Sequence, residues 1–211
     1  MFRESVAPRS VSRSTPTPIA LNLSGRIGTV DGSHPPAVKQ FVLDLDRHIA
    51  IDSRGLPVCQ GGQRDFRSPD LRSRCKDAIV GKGKVGFQIQ FPEQPSISTE
   101  SELIVFNSGD RGAGETTLHA VANLVEPITT SFVMSIEIKR GPHGNRVIID
   151  VPKLANGAGS LTYLSAKLEK RFMRNSRAVD FLTARCPSGT IQSGVRALFE
   201  DGAALQGDTL Q

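Results

Sequence analysis

Hydrophobic side chains recur at every second position through much of this chain. Residues 19–25 read IALNLSG, 41–46 FVLDLD, 85–91 VGFQIQF and 132–139 FVMSIEIK. A period of two sends successive side chains to opposite faces of a strand, so each segment buries one face and wets the other. Further strand candidates cover 101–107, 116–125, 145–151, 160–173, 178–184 and 190–199. Turn-rich clusters separate them: DGSHPP at 31–36, SRGLP at 53–57, NSGDRGAG at 107–114, RGPHG at 140–144, NGAG at 156–159 and CPSG at 186–189. About ten strands at this spacing predict an all-β fold, an antiparallel β-sandwich. One segment argues for helix. In Ser68-Pro69-Asp70-Leu71 a serine cap precedes proline at the first helical position, which predicts one or two turns inside a loop.

The body is bounded by polar ends. Residues 1–16 (MFRESVAPRSVSRSTP) contain no sustained apolar run and read as a disordered tail, because they offer too little surface to offset ordering entropy. They are not a signal peptide as they stand, since no apolar core of 7–15 residues follows the basic start. Residues 17–202 read as one β-sandwich domain, and 203–211 as a flexible C-terminal tail. With 211 residues and 38% hydrophobic content a sizeable core is affordable in this body. No apolar run reaches the roughly 18–20 residues of a membrane helix.

Twenty-six Lys and Arg against 21 Asp and Glu leave a net charge of +5, which permits a polyanion partner without specifying one. The excess concentrates in GKGK at 81–84 and in the segment 167–177. Within the latter, charges interleave with Leu168 and Phe172 as on the wet side of a strand or hairpin. Lys167, Lys170, Arg171 and Arg174 form the candidate polyanion patch. Nucleic acid is the less favoured partner, because single-strand binders stack bases on aromatic rings and the chain has ten Phe, one Tyr and no Trp.

Cys59 and Cys75 straddle a polar, arginine-rich stretch that could hardly hold its shape by burial. A disulfide between them would stabilise by roughly 3 kcal/mol in an oxidising compartment, with Cys186 left over. Three reduced buried thiols are the alternative. A zinc site is weaker, since no CxxC occurs and no histidine follows a cysteine at ligand spacing.

Catalytic signatures are missing. His34, His48, His119 and His143 form no HxH, HxxxH or HExxH pair. His119 reads as a core or edge histidine, and His34 and His143 as turn residues. Asp44 and Asp46 lie two apart and project from one strand face, which is usually a solvated face. With Glu93 they are the carboxylates a hydrolase would draw on. GKGK and NGAGS match no phosphate-binding fingerprint and read as β-turns or bulges, and no GxSxG elbow exists. Carbohydrate platforms want exposed Trp and Tyr, which leaves only a groove of polar side chains for a sugar. No catalytic residue, metal or cofactor is assigned.

Several short motifs together resemble a group of exported, mostly β actinobacterial proteins that has no established activity. The matching pieces are LNLSG at 21–25, DGSHPPA at 31–37, GLPVC at 55–59, AIVGKG at 78–83, FPE at 91–93, FN at 106–107, VPKLA at 151–155 with Gly157 and Gly159-Ser160, CPSG at 186–189 and FEDG at 199–202. The resemblance implies export to the cell envelope or beyond and a β domain with disulfides. The expected function is a non-catalytic module at or outside the envelope, interacting with protein or polymer. The alternatives are an envelope-polymer hydrolase using cleft carboxylates such as Asp44, Asp46 and Glu93, and a cytosolic polyanion binder.

Overall fold

A computed structural model of the chain describes residues 2–62, 64–112, 115–126 and 129–210. Strands β1 (Phe2–Ala7), β2 (Thr17–Pro18), β3 (Ala20–Arg26), β4 (Val38–Asp44) and β5 (Ile49–Ile51) come first. A short helix, α1 (Leu71–Arg74), precedes β6 (Ile79–Ile89), β7 (Ile97–Gly112), β8 (Glu115–Leu124), β9 (Thr130–Arg140) and β10 (Asn145–Asp150). The chain continues with β11 (Gly159–Leu168), β12 (Arg171–Arg174), β13 (Arg177–Asp180), β14 (Leu182–Ala184), β15 (Gln192–Phe199) and β16 (Ala204–Leu210). Every segment expected to be extended contains strand, with 160–173 and 178–184 each interrupted.

The all-β expectation holds. Eleven strands form one antiparallel sheet in the order β1-β3-β11-β6-β7-β8-β9-β10-β4-β15-β16. The sheet curls until its two outer strands meet, so the two layers of the expected sandwich are opposed walls of a nearly closed barrel. Inward residues fill it: Leu21, Leu43, Val85, Phe87, Leu103, Leu118 and Met134 are all buried. Phe87 meets Phe132 edge-on at 4.7 Å between ring centres, the geometry aromatic quadrupoles favour. A small sheet, β2-β14-β5, adds Ile49 and Leu182 to the same core, and β12 and β13 form a separate hairpin.

The central strands bury both faces. Leu103 and Val105 point into the barrel, while Ile104 and Phe106 join Val121 and Val133 on the outside, beneath Cys59, Phe66, Leu71 and Cys75. The continuous apolar run LIVF at 103–106 is the sequence mark of a strand covered on both sides. The covering loop is pinned by the Cys59–Cys75 disulfide. It is also pinned by the fully buried Asn107, whose Nδ2 donates to the carbonyls of Leu56 (3.3 Å) and Pro57 (3.0 Å). The expected helix turn lies in this loop but starts later, after Asp70. The Ser68 hydroxyl donates to the Asp70 carboxylate rather than capping a helix amide.

The ends depart from expectation. Residues 2–7 are not a tail: β1 pairs along the edge of β3, with Ser5 opposite Asn22 and Val6 opposite Leu21. Residues 204–210 form β16 against β15, although nearly all their side chains are exposed. Backbone pairing at an open sheet edge needs no apolar side-chain pattern, so polar sequence concealed both strands. Residues 1 and 211 of the two segments lie outside the described residues.

Where the sheet edges meet, Glu4 of β1 is buried and accepts hydrogen bonds from Ser193 Oγ of β15 (3.0 Å) and Thr209 Oγ1 of β16 (3.4 Å). Burial raises its carboxyl above the ordinary glutamate range; the two hydroxyls oppose this and nearby Asp46 adds to it. A folded-state value above the unfolded one means the native state holds the proton more tightly, so this group's contribution is complete below the unfolded value and is lost as pH rises through the folded one. Glu4→Gln is therefore expected to raise the melting midpoint at pH 7, with the gain vanishing below about pH 4. Equal midpoints for the two proteins at pH 7 would overturn this reading of the seam.

Candidate functional site

The feature that most invites a ligand is the outer surface of the wall β1-β3-β11-β6. Gly81 and Gly83 face inward and Lys82 and Lys84 outward, which explains the GKGK pattern. The motif lies within a strand rather than a turn, with a register irregularity between Ile79 and Gly81. The glycines are required by the close approach of β11: a Cβ on Gly83 would fall 1.8 Å from the Ser165 carbonyl oxygen. That tight seam sets Lys82 directly opposite Lys167, and Lys84 opposite Ser165. Like charges facing across a strand pair are unfavourable.

The stapled loop brings two more cations to the same place. Arg72 and Lys76 flank Cys75, and with Lys82, Lys167 and Lys170 they line a groove of about 660 Å³. Arg72 is bonded to Glu102 (2.8 Å) and Lys167 to Glu169 (2.6 Å), both exposed pairs of small energetic weight. Among the described residues no carboxylate pairs with Lys76, Lys82 or Lys170. Past Lys82 and Lys167 the surface continues into a second hollow of about 640 Å³, with Arg3, Ser5, Asn22, Ser24 and Ser165 on its walls.

The sequence-derived patch is thus divided. Lys167 and Lys170 face the groove, but the chain leaves the sheet after Leu168, and Arg171 and Arg174 ride on the β12–β13 hairpin. Arg171 pairs with Asp180 (3.1 Å). Arg174 donates to Asp52 Oδ2 (2.8 Å) and to the Arg54 carbonyl (3.1 Å). Burial would raise the Asp52 carboxyl, yet hydrogen bonds from Arg54 and Arg174 outweigh it and bring it down to about 2. Reading along the chain marks Lys82 within GKGK but could not set it beside Lys167, nor bring in Arg72 and Lys76 from around the staple.

A third concavity, of about 670 Å³, does bring Asp44 and Asp46 together, with Asp208 and His143 beside them. Glu93 lies elsewhere, in the turn between β6 and β7. Asp44 is gripped by Arg146 through two bonds of 2.7 and 2.8 Å, and the arginine's hydrogen bond lowers its carboxyl. Asp46 is raised by burial but lowered further by the amides of Gln192 and His48 and by the His48 ring at 2.8 Å. Glycoside hydrolysis needs one carboxyl held protonated as the acid, whereas these two are both held ionised.

Two motifs distant in sequence converge elsewhere. Ser160 Oγ lies 3.0 Å from His34 Nε2, and His34 Nδ1 lies 3.1 Å from Gln88 Oε1. The arrangement has the outline of a hydroxyl–imidazole–carboxamide relay. Ser160, however, is 2% exposed and gives its proton to the Pro35 carbonyl at 2.6 Å, so the group clasps the 31–37 loop onto β11. His34, expected in a turn, closes that clasp. His119 is half-buried between Ser108 Oγ (2.6 Å) and the stacked ring of Phe66 (4.2 Å).

The barrel interior is lined by apolar side chains and leaves a cavity of about 50 Å³, small beside the roughly 150 Å³ that admits benzene. Among the described residues no group of three or more His, Cys, Asp or Glu side chains is arranged to hold a metal ion, and no helix is long and apolar enough to cross a membrane. Cys186 carries a free, partly buried thiol. No protein-family model matches the chain, and neither do the curated proteins or the solved structures it was compared with.

Proposed function

We propose that the protein is a non-catalytic binding module that holds an anionic polymer along the outer face of β6 and β11, at or outside the cell envelope. The observation that carries this reading is the meeting of Lys82 and Lys167 on adjacent strands, with Lys76 and Lys170 beside them. A surface that gathers like charge is destabilised by self-repulsion until a counter-charge arrives, and a polymer supplies many at once. The disulfide is consistent with an oxidising compartment. The acidic concavity supports a hydrolase less well, since both of its strand-end carboxylates are already engaged as ionised acceptors.

Binding to a polyanion over a salt series tests this. Each cation–anion contact releases about one counterion, so Lys82→Gln/Lys167→Gln is expected to reduce the slope of log affinity against log salt by about 2. Arg171→Gln/Arg174→Gln, removing cations that ride on the β12–β13 hairpin and do not line the groove, is expected to change it much less. An unchanged slope in the lysine pair, or equal losses in both pairs, would overturn the site.

A further inference from the structure

We infer that the polymer is an acidic polysaccharide, a chain carrying carboxylates among many hydroxyls, and not a polyphosphate or nucleic acid; this rests on the anionic-polymer reading above. The inference comes from what accompanies the lysines. On the outer face the register builds cross-strand rows: Ser5, Asn22, Lys167 and Lys82 stand side by side on β1, β3, β11 and β6, and Arg3, Ser24, Ser165 and Lys84 form the next row. Adjacent members are separated by the strand spacing of about 4.8 Å. The first row therefore passes from neutral hydrogen-bonding groups on β1 and β3 to ammonium groups on β11 and β6, and the second runs from the Arg3 guanidinium through the Ser24 and Ser165 hydroxyls to the Lys84 ammonium.

The two kinds of group suit different parts of one ligand. Lysine ammoniums are donors only and match carboxylate or phosphate oxygens. Serine hydroxyls and the asparagine amide both donate and accept, which is the complement of a sugar hydroxyl. A polyphosphate, all acceptors, would leave the accepting capacity of Ser5, Asn22 and Ser24 unused. The groups retain that capacity: Asn22 Nδ2 makes a long bond of 3.4 Å to the Ser5 carbonyl, and Ser165 Oγ accepts a weak bond of 3.3 Å from the Lys84 amide. The hollow they line is continuous with the basic groove through Lys82 and Lys167, so one extended chain can lie across both.

Aromatic rings argue the same way. Single-stranded nucleic acid is held by bases stacked on open rings. On this face Tyr163 already carries the Arg26 guanidinium 5.0 Å from its ring centre, and Phe2 packs against the core.

The test compares polygalacturonate, linear polyphosphate and neutral dextran as probes, using the full chain and the variants Asn22→Ala/Ser24→Ala and Lys82→Gln/Lys167→Gln, each checked by thermal melting. Ser165→Ala serves as a second neutral-row variant should the first lose its fold. The expected result is tight binding of polygalacturonate, weakened about tenfold by Asn22→Ala/Ser24→Ala, with polyphosphate binding unaltered by that variant. Equal binding of polygalacturonate and polyphosphate, insensitive to the neutral-row variants, would overturn the polysaccharide inference while leaving the anionic groove standing. Failure of both polyanions to bind would overturn the groove itself. Binding of dextran undiminished by Lys82→Gln/Lys167→Gln would overturn the acidic character of the ligand.

Discussion

Gly83→Ala is expected to lower the melting midpoint by about 6–12 °C. The added Cβ would lie 1.8 Å from the Ser165 carbonyl oxygen, 2.7 Å from its carbon and 2.8 Å from Ala166 Cα. These are backbone atoms of the facing strand, which cannot swing aside as a long side chain would. The strands must part, disturbing the pairing that sets Gly83 opposite Ala166 and Lys84 opposite Ser165. Overpacking of this kind costs about 3 kcal/mol, and in a domain of this size each kcal/mol moves the midpoint by roughly 2–4 °C. Gly28→Ala, at a position with nothing within 4 Å, serves as the control. A fall smaller than about 2 °C, or one matched by the control, would show that β6 and β11 do not require this glycine. Because the same seam holds Lys82 against Lys167, the variant should also weaken polyanion binding.

Removing the staple has the second large effect. Cys59→Ala/Cys75→Ala opens a loop spanning a sequence separation of 16, and relaxing that constraint in the unfolded chain corresponds to about 3 kcal/mol. The cost also has a location. The loop covers Ile104, Phe106, Val121 and Val133 on the outside of the sheet, and its hold there would then rest on contacts such as those of Phe66 and Leu71, the Asn107 bonds and the exposed Arg72–Glu102 pair. The variant is expected to bind a hydrophobic dye that the native protein ignores. Its affinity for a polyanion should fall as well, because Arg72 sits on the released segment and Lys76 directly beside the lost staple, while Lys82 and Lys167 sit on the sheet. Urea denaturation within about 0.5 kcal/mol of the parent protein would refute the structural role, and unchanged affinity would place Arg72 and Lys76 outside the binding surface.

What the order of residues decides here is local. Alternation in LNL, FVLDLD, VGFQIQF and FVMSIEIK selects strands, because a period of two can bury a face only in extended chain. Gly and Pro clusters end them, and the spacing of Cys59 and Cys75 marks the closure of a loop that cannot otherwise be held. Which strand lies beside which is settled by pairing between residues far apart in the chain. It is this pairing that makes a barrel of two sandwich layers, recruits the polar ends as β1 and β16, and sets GKGK against Lys167. The basic groove exists because β6, β11 and the stapled loop converge. Lys170 and Arg171 are neighbours in sequence, yet one lines the groove and the other pairs with Asp180 on a hairpin. Charge can be counted along a chain, but a field depends on distances, and distances across strands belong to the folded molecule alone.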